Sequence, residues 1–339
     1  MCLAFAALAS LPGCYYGHVA DGQMKLLRMR QPIVDVIERE DTSDELRLKL
    51  QLVLEARKLA RTLGLEVDEQ YTSYAAWPGD RVITSVVATP SEAVDADPFW
   101  FPLIGKVPYK GYFDPERAER EAQRLRSKGL DACTFAIDAY STLGWFDDPI
   151  TEPMLDRSDG ALVETIVHEL VHATFYVRSQ PDFNEGAAQF VGQEAAKHFY
   201  AGDAEAVERE VARINDRRLL AESLVGFREE LRAFYADAAR RREGGEAPDV
   251  MAERAALEAD MRTRIAALPL TGRDPAKLAE QLRLNDACLA LQGTYGADLE
   301  TYASRLDQLG GDLAAFIAAL RRAAETDEPR AAFFADDAP

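Results

Sequence analysis

The chain has 339 residues, of which 58 are acidic and 39 are basic, so its formal charge is −19 and its pI is near 4.7. A surface this acidic argues against nucleic acid as a partner and against electrostatic attachment to anionic lipid, because both need basic residues. Hydrophobic residues make up 47% of the chain, enough for a substantial core, and no apolar run is long enough to predict a membrane-spanning helix.

The first element is a short apolar segment, Met1 to Gly13, that ends immediately before Cys14. This pattern is typical of a bacterial lipoprotein signal peptide, in which Cys14 becomes the lipidated first residue. It predicts a protein of the bacterial cell envelope, anchored by lipid at the periplasmic face of the outer membrane. The alternative is an ordinary N-terminal segment with a buried cysteine, because the segment is short and no lysine or arginine precedes its apolar run.

Apolar spacing and turn residues then predict an alternation of helices and strands. In chain order these are a helix at 45–63, a strand at 81–89, a helix opened by Asp114 and closed by Gly129, a strand at 132–138, and a helix that begins near Asp159. After Asp203 the sequence is almost wholly helical, with breaks at 244–248 and 269–275.

The predicted fold is therefore helix-rich α+β, with a small mixed sheet ahead of the helix near Asp159 and a helical lobe after it. The corresponding domains are a signal peptide at 1–13, a catalytic lobe at 14–200, a helical lobe at 201–330 that packs on the catalytic lobe, and a tail at 331–339.

The helix near Asp159 carries the most informative pattern, which is His168, Glu169 and His172. Residues four apart lie on one face of a helix, so the two imidazoles can reach one metal ion with the carboxylate of Glu169 beside them. Most other residues of this helix are apolar, which predicts burial, and buried charged groups need a partner or a metal. A catalytic zinc site has three protein ligands and one open position, so the pattern predicts one Zn²⁺ per chain.

The third ligand has two candidates, Glu185 and Glu194, which lie about half a turn apart around one predicted helix and cannot both face the histidines. Glu185 is favoured, because a tight turn at 180–181 would return the chain beside the first helix. The alternative for Glu185 is a capping box with Asp182, which would make it a helix-start residue.

We expect a zinc site of this kind to hydrolyse a peptide bond in a peptide substrate. Zinc polarises the carbonyl and lowers the pKa of water, while Glu169 takes the proton of the attacking water and delivers it to the leaving amine. The negative charge that develops needs a further donor, and each candidate hydroxyl can instead belong to an ordinary half-buried aromatic. The candidates are Tyr295, Tyr140 and Tyr302. Asn184 either orients Glu185 or belongs to the turn.

Cys133 and Cys288 are the only cysteines after Cys14. An export compartment permits a disulfide between them. Because Cys133 lies in an apolar, strand-like run, we expect two separate buried thiols instead.

The chain resembles a family of predicted bacterial zinc aminopeptidases, many of them predicted lipoproteins, from about Gly22 to about residue 320. The segments that carry the resemblance are 108–113, 139–149, 168–172, 183–185 and 284–285. The resemblance implies a zincin-like, gluzincin-type site in which His168, His172 and Glu185 are the ligands and Glu169 is the base. Gly186 departs from the larger residue expected in close relatives.

Enzymes of this broad class lay the substrate along an edge strand just before the metal helix. The resemblance implies that this strand is 142–146, so that Gly144 and Trp145 line the cleft, although Trp145 can equally pack in the core.

An aminopeptidase also needs an acidic group that binds the free ammonium of its substrate. Asp147 and Asp148 are candidates whose alternative is a plain loop.

Two other hypotheses compete with the peptidase. One is a non-catalytic zinc-containing lipoprotein that acts as a binding or structural module, and the other is a metal-free scaffold. The sequence favours the peptidase, because structural zinc sites are usually closed by four protein ligands, whereas this pattern offers three and a general base.

Overall fold

The structure is a computed structural model of the chain, and it describes residues 13–102, 105–137, 147–292 and 299–335. Within these ranges the fold is helix-rich α+β, as predicted. The strands are β1 (Gln31–Pro32), β2 (Ser73–Ala75), β3 (Ile83–Thr89), β4 (Phe99–Phe101), β5 (Gly105–Val107), β6 (Tyr109–Tyr112), β7 (Asp131–Ile137) and β8 (Ile150–Thr151).

The helices of the described residues follow the same chain order. They are α1 (Gly13–Arg28), α2 (Ile33–Glu38), α3 (Asp44–Thr62), α4 (Pro115–Arg126), α5 (Glu152–Leu155), α6 (Asp159–Thr174), α7 (Pro181–Phe199), α8 (Ala204–Glu243), α9 (Val250–Ala266), α10 (Pro275–Gln281), α11 (Asp286–Leu289), α12 (Leu299–Gln308), α13 (Leu313–Ala324) and α14 (Pro329–Phe334). No helix among them is both long and apolar enough to cross a bilayer.

The predicted elements are confirmed, with small shifts at their ends. The helix predicted at 45–63 is α3, where the side chain of Ser43 accepts the N–H of Leu46 at 3.2 Å. The helix predicted from Asp114 is α4, and the Asp114 carboxylate accepts the N–H of Glu116 at 2.9 Å. The two predicted breaks separate α8, α9 and α10. Capping side chains and proline therefore predicted these starts well.

The central strand of the larger sheet is β3. It lies between two antiparallel neighbours in the order β6-β3-β7, with Val87 opposite both Tyr109 and Cys133. All seven residues of β3 are buried, because α4 covers one face of the sheet and α11 covers the other. A second sheet has the order β1-β2-β8 and includes one parallel pair, and β4 and β5 form a hairpin. The predicted mixed sheet is thus present, divided into small parts.

A disulfide bond joins Cys133 of β7 to Cys288 of α11, with 5.1 Å between their Cα atoms. The prediction of two separate thiols was wrong. Cys133 is buried in the sheet, as expected, but α11 lies against the same face because the Asp131 carboxylate accepts the side-chain N–H of Asn285 at 2.8 Å and the backbone N–H of Ala287 at 3.0 Å. Nothing local to either cysteine indicates this approach.

The two largest hydrophobic clusters of the described residues lie mainly between helices. The main core surrounds α6, which packs against α3 and α7 and is closed by aromatic residues from the C-terminal helices. These aromatic contacts join Phe183, Phe190, Tyr302, Phe316 and Phe333. A second core lies between α8, α9 and α10. The segment 201–330 therefore contributes to both cores, since α12 and α13 share the core of α6.

Candidate metal centre

The buried helix α6 carries the histidine pattern. It begins at Asp159, as predicted, and most of its side chains are inaccessible. Glu164 is among them, and its carboxylate binds Arg213 at 2.7 Å and also Arg217 of α8. A buried carboxylate is tolerated when it is paired in this way. The partner of Glu164 is thus a pair of arginines, which also attaches α6 to α8.

Gly192 allows α7 to cross α6 at close range. A Cβ atom at this position would lie only 2.8 Å from the carbonyl oxygen of Glu164 and 3.5 Å from the Cβ of His168. The other buried residues of α7 near this crossing are mostly small, namely Gly186, Ala187, Ala188, Ala195 and Ala196. Small residues let helix backbones approach closely, so α7 lies against the histidine-bearing part of α6.

The turn between α6 and α7 is held by Asn184. The side-chain amide of this buried residue donates to the carbonyl of Val177 at 2.8 Å, and its oxygen accepts the N–H of Val177 at 2.8 Å. Of the two roles expected for Asn184, the structure supports membership of the turn. By fixing the turn, Asn184 also fixes where the next residue, Glu185, begins its path along α7.

His168, His172 and Glu185 come together at the start of α7. The two Nε2 atoms are 3.1 Å apart, and they lie 3.5 Å (His168) and 3.4 Å (His172) from the carboxylate oxygens of Glu185. Ligand atoms of a tetrahedral zinc ion at about 2.0–2.1 Å from the metal are separated by about 3.3 Å. Among the described histidine, cysteine and acidic side chains, this group brings one possible ligand atom from each of its residues within 4.8 Å of the others. The donor set and its spacing fit a metal ion.

The electrostatics of the group favour an anionic carboxylate. Burial alone would raise the pKa of Glu185, but hydrogen bonds and charge from His168 and His172 hold it at about 2. Burial lowers the pKa of His168, but the hydrogen bond that its imidazole donates to Glu185 and the charges of Glu169 and Glu185 outweigh burial, so the net change is upward. The side chains therefore attract positive charge to this point, whether a proton or a metal ion carries it.

The capping-box alternative for Glu185 was wrong. Helix α7 starts at Pro181 after Gln180, and no side chain caps it there, so the Glu185 carboxylate is not used in a helix start. The rival ligand Glu194 is paired with Lys197 instead. Both observations leave Glu185 as the carboxylate next to the histidines.

Glu169 is partly exposed, and its negative charge is close enough to the buried Tyr71 to affect the pKa of that tyrosine. Burial first, and then the charges of Glu169 and Asp148, raise the pKa of Tyr71 well above its ordinary value. Tyr71 has a φ of 58°, in the left-handed region, and its N–H donates to the carbonyl of Asp148 at 2.9 Å. Strained backbone of this kind concentrates at functional sites. Sequence reasoning missed Tyr71, and no local pattern would have indicated it.

A second tyrosine, Tyr109 of β6, lies near the other carboxylate. Burial and then the charge of Glu185 raise its pKa. Tyr109 belongs to the segment 108–113 that carries the family resemblance, so the sequence did contain a signal for it. Both phenols remain protonated near neutral pH and can donate a hydrogen bond.

The tyrosine candidates from the sequence have different outcomes. Tyr302 is buried in the aromatic core and donates its hydroxyl to the carbonyl of Phe183 at 3.1 Å, so it is a structural residue. Tyr140, Tyr295, Gly144 and Trp145 lie outside the described residues, as does the predicted edge strand at 142–146.

The remaining candidates from the sequence are Asp147, Asp148 and Cys14. Asp147 is exposed, and its carbonyl accepts a hydrogen bond from Arg30 at 2.9 Å, while Asp148 is buried. Cys14 lies in the first turn of α1, and residues 1–12 before it are outside the described ranges.

One family model matches the chain over residues 14–333, and the description of that family is "Putative aminopeptidase". Neither the comparison with curated proteins nor the comparison with solved structures gives a match.

Proposed function

Since the chain belongs to this putative aminopeptidase family, we propose that it is a zinc peptidase whose metal ligands are His168, His172 and Glu185. The observation that carries the proposal is the closeness of these side chains: the two Nε2 atoms are 3.1 Å apart, and each has an oxygen of the Glu185 carboxylate within 3.5 Å. These distances are close to those between the ligand atoms of a tetrahedral zinc ion. Three protein ligands would leave one position of a tetrahedral zinc ion open for water, which is the arrangement of catalytic zinc sites.

The residues around this position have separable roles in the proposed reaction. When bound, zinc polarises the scissile carbonyl and makes water acidic enough to react near neutral pH. Glu169 accepts the proton of the water as its oxygen attacks the carbonyl carbon, and passes it to the amine nitrogen as the C–N bond breaks. We propose Tyr71 and Tyr109, beside the earlier candidate Tyr295, as donors to the oxyanion.

The proposal extends to the shape of the site. The small sheets ahead of the histidine helix support a zincin-like, gluzincin-type arrangement, in which residues 142–146 would form the substrate-binding edge and Gly144 and Trp145 would line the cleft. Cleavage from the free N-terminus of the peptide follows the family description.

We also propose that the protein is exported and lipid-anchored at Cys14, on the periplasmic face of the outer membrane. The disulfide between Cys133 and Cys288 supports export, because disulfides persist in oxidising compartments.

The first test is the metal content of the purified protein, measured by elemental mass spectrometry. We expect about one zinc per wild-type chain, because three ligands and one open position bind one ion. Glu185→Ala should lose it or bind it far more weakly. Glu194→Ala is the matched control, since it removes a glutamate from the same helix, and it should keep the metal.

Full zinc retention by Glu185→Ala, or loss from Glu194→Ala alone, would contradict the proposed ligand set. Absence of zinc from the wild type after reconstitution would overturn the hydrolase proposal as a whole.

A further inference from the structure

The turn that leads into β2 carries a tyrosine in a conformation that tyrosine rarely adopts. Residues 69–72 form this turn, in which the carbonyl of Glu69 accepts the N–H of Thr72 at 3.3 Å and the hydroxyl of Thr72 at 2.8 Å. Tyr71 is the third residue of the turn and has a φ of 58°. A positive φ at this position favours glycine or asparagine, because larger side chains crowd the backbone there. Neighbouring contacts must therefore hold Tyr71 in place.

Arg57 of α3 supplies two of these contacts. This residue is only 8% exposed, and its Nε donates to the carbonyl of Gln70 at 2.8 Å while its Nη2 donates to that of Asp68 at 2.6 Å. The planar guanidinium presents its N–H groups in a fixed fork, so one side chain can hold two carbonyls that lie two residues apart. Both hydrogen bonds go to the backbone just before Tyr71.

The backbone of Tyr71 is also held from its other side. Its N–H donates to the carbonyl of Asp148 at 2.9 Å. The chain then enters β2, where Tyr74 lies opposite Ile150 of β8 in a parallel pair. The turn is thus fixed between α3 and the segment 147–151. Since α3 packs against α6, the turn is also fixed relative to the helix that carries the histidines.

The hydroxyl of Tyr71 is buried without a partner among the residues that the structure describes. Tyr71 is only 2% exposed and belongs to the main core, which also contains the buried residues of α6. The charges of Glu169 and Asp148 act on its hydroxyl, but no described side chain forms a hydrogen bond with it. Buried hydroxyls are normally hydrogen-bonded. One that lacks a partner near the candidate base is available to donate to a ligand.

We propose that Arg57 is a positioning residue of the peptidase site, which holds the turn so that the hydroxyl of Tyr71 points to the substrate at the metal centre. The hydroxyl then donates a hydrogen bond to the oxygen that becomes negative as water attacks the carbonyl carbon. Arg57 itself touches neither the metal nor the substrate. Its effect on catalysis rests on the proposed function, whereas its hold on Tyr71 does not, so the two are tested separately.

Fluorine NMR of the full chain labelled with fluorotyrosine tests the hold on Tyr71, whose resonance is the one that disappears in Tyr71→Phe. We expect Arg57→Met to shift or split this resonance, since the turn loses two hydrogen bonds. Arg57→Lys should shift it less, because an ammonium cannot span both carbonyls as the fork does. The matched control is Arg61→Met, one turn further along α3. Arg61 is exposed and donates to the carbonyl of Val67 at 3.2 Å, outside the turn, so the resonance should stay unchanged.

The catalytic effect is measured with the zinc-loaded protein on amino-acid 4-nitroanilides. We expect Arg57→Met to lower kcat at least about tenfold with little change in KM, because it displaces a donor that acts in the transition state. Zinc content should equal that of the wild type, since no ligand is changed. Added to Tyr71→Phe, the same substitution should cause no further loss, because Arg57 acts through that hydroxyl. A general loss of structure would lower kcat in both backgrounds.

An unchanged Tyr71 resonance in both Arg57 variants would overturn the proposal, as would a loss of kcat that is equally large in the Tyr71→Phe background. If Arg57→Met does not fold, Arg57→Lys is judged by the same two criteria. A wild type that binds zinc without hydrolysing any substrate would refute the peptidase and with it the catalytic role of Arg57. The fluorine resonance would then decide alone whether Arg57 holds Tyr71.

Discussion

Two glutamates of α6, five positions apart, have opposite environments. Glu164 is buried and bound by two arginines, so its carboxylate is a fixed structural charge. Glu169 is partly exposed and makes no hydrogen bond or ion pair with the residues that the structure describes, although its charge reaches Tyr71. A carboxylate whose lone pairs are free can accept and release a proton, whereas one held by two guanidinium groups cannot do so without breaking those bonds. This contrast supports the proposal that Glu169, rather than Glu164, carries the proton.

We expect Glu169→Gln to keep its zinc and to lose about 10²–10⁴-fold in kcat, because the amide cannot accept the proton of the attacking water. The assay is hydrolysis of a panel of amino-acid 4-nitroanilides by the zinc-loaded protein. Glu55→Gln, on the exposed face of α3, should be as active as the wild type. Unchanged turnover in Glu169→Gln would refute the assigned role, and an inactive wild type with bound zinc would favour the non-catalytic alternative.

The pair α6 and α7 is the element on which the candidate site depends. Its two helices supply the three candidate ligand residues, and Gly192 lies at their crossing, where a Cβ atom would be 2.8 Å from the carbonyl oxygen of Glu164. Asn184 sets the other end of the same pair by clamping the turn. The geometry of the candidate ligands therefore follows from the packing of α6 on α7.

Gly192→Ala should destabilise the protein by about 1–3 kcal/mol and weaken zinc binding, since its methyl group would press on the carbonyl oxygen of Glu164. Gly226→Ala is a matched control inside α8, where a new Cβ meets nothing within 4 Å. That change should stabilise by about 0.5–1 kcal/mol, because alanine favours a helix over glycine. Chemical denaturation and zinc titration measure both, and a neutral Gly192→Ala would show that the crossing can relax.

At the scale of the whole molecule, contacts between distant parts of the chain tie the β6-β3-β7 sheet and its loops to the helical segments that follow. The disulfide connects the sheet to the segment that follows α10, and its cysteines have a sequence separation of 155. Arg228 adds a second connection, since it donates to the carbonyl of Val94 at 3.2 Å and to that of Gln292 at 2.7 Å. These long-range contacts hold the loop after β3 and the segment after α11 onto the long helix α8.

Removing the disulfide should cost about 2–5 kcal/mol of unfolding free energy, because the bridge restricts the unfolded chain. We expect a lower melting temperature for the chain with Cys14→Ser when dithiothreitol is added, and the same lowering without dithiothreitol when Cys288→Ser is also introduced. An identical melting temperature with and without reductant would mean that the thiols are free in solution.

The sequence predicted local features well and distant ones poorly. The bounds of α3, α4 and α6 follow from apolar spacing and capping residues that lie next to each other in the chain, and they agree with the structure. The closeness of His168, His172 and Glu185 was also predictable, because a helix and one turn determine it, while their roles stay predictions. The disulfide, the strand order β6-β3-β7 and the approach of Tyr71 to Glu169 depend on residues far apart in the chain, for which one sequence carries no signal.

The sequence separation between residues that meet in the fold also determines how early each pair can meet while the chain is being synthesised. All three candidate ligand residues lie within 168–185, so the loop that brings them together is short and closes at little entropic cost. Cys288, by contrast, is added long after Cys133. A nascent chain can therefore pair its histidines with the glutamate while more than a third of the protein is still unmade, whereas oxidation of the cysteines has to wait for the end of translation.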